Sequence, residues 1–267
     1  MIIGVIGLGV VGSANKYGFE KIGHKVLVHD IKLKTKIENI AKSEVVFICV
    51  PTPSNKNGSC NTDIVEEVLN ELNSIKYKGV ICIRSSTEPG FTLKMIKKFK
   101  NNKICFVPEF LRERSSKKDF TTGHNLLAVG TKSIKNFEII VKAHGKFPKT
   151  TERLSPTEAE ILKYYINLYA SLRIVFANIF FEISKKFGSN YENIKNSYIK
   201  TGRGSPELYL SVNKKLRGYA GICLPKDTKA IINLLKKLKL DYNLISSIDK
   251  DNKKFKKTIF KGMRLGE

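Results

Sequence analysis

Three groups of residues in this sequence have the types and spacing that chemistry requires. The first is Gly7-Leu8-Gly9-Val10-Val11-Gly12, followed 18 positions after Gly12 by Asp30. Glycines at this spacing let a strand turn tightly into a helix and bring backbone close to a diphosphate at the positive helix end, while the acidic residue can accept ribose hydroxyls. This order of features reads as a dinucleotide site, with a tight turn lacking a ligand as the alternative. Asp30 favours NAD because a carboxylate repels a 2′-phosphate; Lys32 and Lys34 pull the other way. The second is Cys223, two residues before Pro225 at an expected helix start, where the helix dipole and nearby lysines push a thiol toward thiolate. A free cysteine is more often a small buried filler, which is the reading for Cys49, Cys82 and Cys105 in strand-like runs; Cys60, in a polar loop, has no assigned role. The third is Lys163 and Asn167, four apart and so on one helix face. A lysine in an apolar wall has a lowered pKa and can exchange a proton, and an asparagine can hold an oxyanion or water; the alternative is a solvated helix edge. Glu109 and Glu113 share the same spacing, which can place both on one side of a helical turn; the alternative is that, like most such carboxylates, they are simply solvated.

The elements that must position these residues follow from the apolar pattern. Strands are expected at 2–6, 25–30, 45–50, 79–83, 104–107 and 126–130, with helices from the glycine turn to about Ile22 and from Asp63 to Leu72. Strands alternating with helices imply right-handed crossovers, hence a Rossmann-like doubly wound parallel sheet of the α/β class over residues 1–154. At Ser155-Pro156-Thr157-Glu158 the character changes: serine with glutamate three residues later is a capping box, and proline suits the first helical position. A helix from Pro156 to Phe187 would be about 48 Å long. Its apolar residues surround much of its circumference, as expected for burial on several sides. Further helices at 191–198 and 225–238 complete a mainly helical second domain, 155–267, built on that long central helix.

Composition bounds the function. The chain has 267 residues, 42% hydrophobic and 27% charged, with a formal charge of +24. Arginine is scarce (Arg84, Arg112, Arg114, Arg153, Arg173, Arg203, Arg217 and Arg264) and lysine is spread throughout, so specific nucleic-acid recognition, which favours clustered guanidinium forks, is not expected. Salt-sensitive adhesion to polyanions is. The amino terminus reads as a strand rather than a signal peptide. The apolar stretch 166–181 is broken by Asn167, Arg173 and Asn178, which suits a buried helix better than a membrane span. The cysteines form no CxxC pair, which points to free thiols in a reducing compartment, the cytoplasm, and to no zinc or other metal.

Five later segments extend this reading in a fixed order: Cys49-Val50-Pro51-Thr52-Pro53, Ser86-Thr87-Glu88-Pro89-Gly90, Pro108-Glu109-Phe110-Leu111-Arg112-Glu113, Ala159 to Asn167, and Gly221-Ile222-Cys223-Leu224-Pro225-Lys226-Asp227. With the glycine turn, the sequence resembles the UDP-glucose/GDP-mannose (nucleotide-sugar) dehydrogenase family over roughly residues 1–260. The resemblance implies NAD as cofactor, a homodimer seamed by the long helix, and a nucleotide sugar, UDP-glucose first, oxidised at its primary alcohol. It implies Cys223 as the covalent carrier through a thiohemiacetal and a thioester, and Lys163 with Asp227 handling proton and hydrolytic water. Asn167 is implied to assist, Thr87 to position water or contact nicotinamide, and Glu109 to lie near substrate and water. Gly7, Gly9, Val10, Val11, Gly12, Asp30, Pro51, Thr52, Thr87, Glu113 and Lys226 would lie on the cofactor side. The family continues into a second α/β domain on the nucleotide side of the substrate, which this sequence is expected to lack. Val107, Arg114 and Ala220 replace asparagine, glycine and glycine of the family pattern, and the interval from Asp30 to Cys49 is short. Two alternatives stay open: a compact β-hydroxyacid dehydrogenase, and a non-catalytic NAD-binding remnant.

Overall fold

The computed structural model describes residues 1–101, 103–202, 209–213 and 217–258. Arg203, Arg264 and the end of the expected second domain fall outside them. The chain forms two compact units, one of Met1–Pro53 and Cys60–Lys163, the other of Ser54–Ser59 and the residues from Tyr164 on.

In the first unit, β1 (Ile2–Ile6), α1 (Val10–Lys21), β2 (Lys25–His29), β3 (Val45–Ile48), α2 (Asp63–Ser74), β4 (Val80–Ile83), α3 (Phe91–Phe99), β5 (Ile104–Phe106), α4 (Ser116–Thr121), β6 (Leu126–Gly130), α5 (Ile134–His144) and β7 (Thr150–Leu154) follow one another. They build a seven-stranded sheet of order β2-β1-β3-β4-β5-β6-β7. The jump from β2 across β1 to β3 is the switch point at which doubly wound sheets hold their ligands. Val45–Ile48 and Val80–Ile83 are buried throughout, as central parallel strands require. One apolar cluster, with Ile48, Leu69, Ile83 and Met95, lies under α2 and α3; a second, with Phe19, Phe47, Phe120 and Ile140, lies under α1, α4 and α5.

The sheet is mostly parallel, as expected, with one exception: β6 runs antiparallel to β5, joined through the single pair Phe106 and Gly130. Sequence patterning missed β7, whose residues are exposed or half-buried at the sheet edge and carry no apolar alternation. It also missed the helices 91–99, 116–121 and 134–144.

The helix α6 (Pro156–Lys186) opens with the expected capping box: Ser155 N donates to Glu158 Oε2 at 2.7 Å, and Glu158 N donates to Ser155 Oγ at 3.2 Å. The two units divide inside this helix, after Lys163, rather than before it. Ala159 belongs to the sheet's apolar core, so the first two turns fold with the sheet. By length and composition α6 is a helix that could cross a membrane, and 28% of its most apolar window is buried.

The second unit adds α7 (Tyr191–Lys200), α8 (Cys223–Lys237) and α9 (Leu244–Asn252) to the remainder of α6. Val175, Tyr219 and Ile248 form one small core; Ala177, Tyr191 and Leu210 form another. The stretch before α8 is pinned by side-chain amides. Asn178 Nδ2 donates to the Arg217 carbonyl at 2.8 Å, and Asn252 both accepts from Tyr219 N at 2.8 Å and donates to its carbonyl at 3.1 Å.

Candidate active site

The glycine turn is shaped by what it excludes. Gly7 sits at φ +84°, and a Cβ on Gly12 would stand 1.8 Å from the Gly7 carbonyl oxygen, so only hydrogen fits there. Gly9 precedes α1, whose first turn has no side-chain cap, leaving the N–H groups at Val10, Val11 and Gly12 facing out from the positive helix end. Asp30 is held across the turn: Oδ2 accepts from Leu8 N at 2.6 Å and Oδ1 from Lys32 N at 2.8 Å. A carboxylate has about four acceptor positions, so capacity remains for ribose hydroxyls. Pro51, exposed, and Thr52, buried, follow β3 on the strand next to β1. A cradle with no room for side chains, an uncapped helix start and a half-exposed carboxylate together fit a dinucleotide.

The first unit also holds Thr87, Glu109, Glu113 and Lys163. Thr87 is fully buried, and its Oγ1 donates to Glu160 Oε1 at 3.4 Å. Glu160 was not singled out by sequence reasoning, yet its carboxylate also takes Gly90 N at 2.6 Å, Thr92 N at 2.8 Å and Thr92 Oγ1 at 2.6 Å. It thereby caps the start of α3 from a residue on α6. Burial pushes its carboxyl above the ordinary range, against the pull of those donors. The sequence signal was present: residues 160, 163, 164 and 167 follow i, i+3, i+4, i+7 spacing.

Glu109 and Glu113 do not share a helical turn. Residues 107–112 are irregular, and half-buried Glu113 only opens a 3-10 turn, because Pro108 interrupts the chain after β5. The Glu109 carboxylate is turned onto protein groups: Oε2 accepts from Arg84 Nη1 at 2.6 Å and Asn15 Nδ2 at 3.4 Å, and Oε1 from Phe110 N at 3.0 Å. Its carbonyl oxygen accepts from Lys163 Nζ, which also lies 5.8 Å from the Phe110 ring centre. Lys163 is buried and not on a solvated edge.

In the second unit, Cys223 is exposed and is the first residue of α8. Asp227, four residues on, is fully buried: Oδ1 accepts from Lys226 Nζ at 2.6 Å and Oδ2 from Asn167 Nδ2 at 2.5 Å. Lys226, expected on the cofactor side, is thus a buried ion-pair partner of Asp227. The other cysteines behave as fillers. Burial pushes the Cys49 thiol to about 12 and Cys105 to about 11, and Cys82 is raised by the same cause. Cys60 is buried with Sγ 3.2 Å from the Ser86 carbonyl. Among the described residues no group of three His, Cys, Asp or Glu side chains could hold a metal ion.

The match to known families agrees with this geometry. Residues 31–147 match the UDP-glucose/GDP-mannose dehydrogenase family NAD binding domain, and residues 157–254 match that family's central domain. The chain belongs to the UDP-glucose/GDP-mannose dehydrogenase family. Its cofactor is NAD. Among curated relatives, a UDP-glucose 6-dehydrogenase of Rickettsia felis is 26% identical over 222 residues, 80% of this chain and 48% of the relative. The chain spans about half to two thirds of the length of the curated relatives it matches. A UDP-glucose dehydrogenase structure from Pyrobaculum islandicum shares its fold with a TM-score of 0.85 at 22% identity, over 95% of this chain and 68% of that one. A 3-hydroxyisobutyrate dehydrogenase structure from Mycobacterium tuberculosis matches with a TM-score of 0.75 at 12% identity, over 95% and 92%.

Proposed function

We propose that this protein oxidises the primary alcohol of a nucleotide sugar, UDP-glucose first among candidates, to the carboxylate with Cys223 as covalent carrier. The observation that carries this reading is Cys223 itself, exposed at the first turn of α8 with Asp227 clamped four residues later, inside a match to the family's central domain. Bound NAD would supply the hydride acceptor, a fresh molecule for each of the two oxidations, held by the glycine turn and Asp30. The Cys223 thiolate adds to the aldehyde carbon left by the first, forming a thiohemiacetal whose oxygen Asn167 steadies. Loss of the second hydride leaves a thioester. Water, deprotonated with the help of Lys163 and Asp227, then adds to that carbon and expels the Cys223 thiolate, releasing the carboxylic acid. Thr87, its hydroxyl fixed by Glu160, orients water or the nicotinamide side, and Glu113 belongs with the cofactor groups. Glu109 serves through its carbonyl, as support for Lys163. The protein acts as a cytoplasmic homodimer joined along α6.

A second reading, a compact β-hydroxyacid dehydrogenase, is favoured by the nearly complete coverage of the 3-hydroxyisobutyrate dehydrogenase fold. It leaves Cys223 idle. The test is the amount of NADH formed per sugar consumed over a panel of UDP and GDP sugars, for the unaltered chain and for Cys223→Ala. Two NADH per sugar, with the variant unable to release acid, supports the thioester route. One NADH from a 3-hydroxy acid, indifferent to Cys223→Ala, selects the second reading. NAD binding with no NADH from any substrate marks a non-catalytic binder.

A further inference from the structure

The first unit buries an ion pair that stability does not call for. Arg84 directly follows β4 and is 3% exposed. Its Nη1 donates to Glu109 Oε2 at 2.6 Å, its Nη2 donates to His144 Nε2, and its guanidinium carbon lies 5.1 Å and 5.6 Å from the ring centres of Phe47 and Phe120. His144 donates Nδ1–H to the Ile140 carbonyl at 2.8 Å, which leaves Nε2 as the acceptor for the arginine. The guanidinium is therefore gripped on both ends and over its faces. Desolvating two charges this deeply roughly cancels their attraction, and an apolar pair of the same volume would hold the fold as well.

What the pair does accomplish is to immobilise Glu109. Oε2 is tied to Arg84 and Asn15, and Oε1 to Phe110 N. The carbonyl of that fixed residue is the acceptor for Lys163 Nζ. A lysine has four rotatable carbons and three equivalent N–H donors, so an anchored carbonyl narrows where its amine can sit. We propose that Arg84 is a positioning residue for Lys163, acting through Glu109: it holds the Glu109 main chain so that the lysine amine is kept in one orientation. This rests on the reading of Lys163 as the group that handles the proton.

The experiment compares Arg84→Lys, which keeps the charge but loses the fork, with the double variant Arg84→Met/Glu109→Met, which removes both charges and leaves none buried alone. Folding is verified by circular dichroism and melting. Lys163 exposure is read as the rate of modification by an amine-reactive reagent, mapped to that residue by mass spectrometry. Both variants are expected to react severalfold faster at Lys163 than the unaltered protein. With an active substrate, kcat falls about tenfold or more while KM and the NAD Kd stay put, and Arg84→Lys adds nothing in a Lys163→Ala background. Unchanged Lys163 modification in either folded variant, or a loss that adds to that of Lys163→Ala, overturns the proposal. If modification responds but no nucleotide sugar reduces NAD, the positioning of Lys163 stands and the assignment of substrate fails instead.

Discussion

At the scale of single residues, the glycine turn and the cysteines were legible because their constraints are local. Gly12 must be glycine for the sake of an oxygen five residues away, and Gly12→Ala is expected to lower NAD affinity at least about tenfold, measured by calorimetric titration, by forcing the turn open. Arg84 and His144 were not legible, since the partners of Arg84 lie 25 and 60 positions off and nothing in composition marks the contact; Glu160 carried a helical-spacing signal but its partners on α3 lie about 70 positions away. His144 carries a measurable consequence. Burial, reinforced by the Arg84 charge, holds its imidazole well below the ordinary value of 6.5, and burial lowers His124 as well. The unfolded chain thus binds more protons than the folded one below that value, and stability falls with falling pH by up to about 1.4 kcal/mol per pH unit for each histidine. Urea unfolding between pH 7.5 and 5 is expected to show this decline, and His144→Gln to flatten it; a stability profile level across that range would contradict the buried neutral imidazole.

At the scale of elements, α6 is the part the sequence revealed best, through its capping box and its length, yet its buried face mixes polar with apolar side chains and leaves many large apolar ones exposed. Glu160, Lys163, Ser171 and Asn178 are buried, while Ile161, Tyr165, Tyr169, Phe176, Phe180, Ile183 and Phe187 are exposed. Apolar content alone could not say which face turns inward, because the buried face combines apolar packing at Ala159, Val175 and Ala177 with hydrogen-bonded polar side chains such as Glu160 and Asn178. The outer residues recur at spacings of three, four and seven, one continuous stripe of the kind a second copy covers. Tyr169→Glu with Phe176→Glu is expected to convert a dimer to a monomer in light scattering; a monomer in the unaltered protein would remove the dimer from the proposal. On the inner face, Glu160→Gln presents an amide to Gly90 N and loses charge-assisted bonds at the start of α3. The expected cost is about 1–3 kcal/mol in urea unfolding, with faster hydrogen exchange at Gly90 and Thr92. The short helix 91–99 escaped notice because Pro89-Gly90 reads as a turn, and its start is capped from α6 rather than by its own neighbours.

At the scale of the whole molecule, the family and the doubly wound class were readable because the alternation of strands and helices is a property of the complete chain. The division inside α6 was not, since a helix boundary and a packing boundary need not coincide. The net charge of +24 acts at this scale too. Retention on heparin is expected to collapse between about 50 and 200 mM salt with no preference among nucleic-acid sequences; a sequence-selective, salt-resistant complex would point to a recognition surface instead. Finally, β5 and β6 touch through one residue pair, and there Gly130 leaves no space: a Cβ would come within 2.8 Å of the Ala159 methyl and 2.9 Å of the Pro156 Cα. A descendant acquiring even a methyl at 130 must shift the opening of α6 and carry the Lys163 amine along with it. On the proposed function, a methyl at 130 would therefore disturb the group that handles the proton from a position packed against the opening of α6.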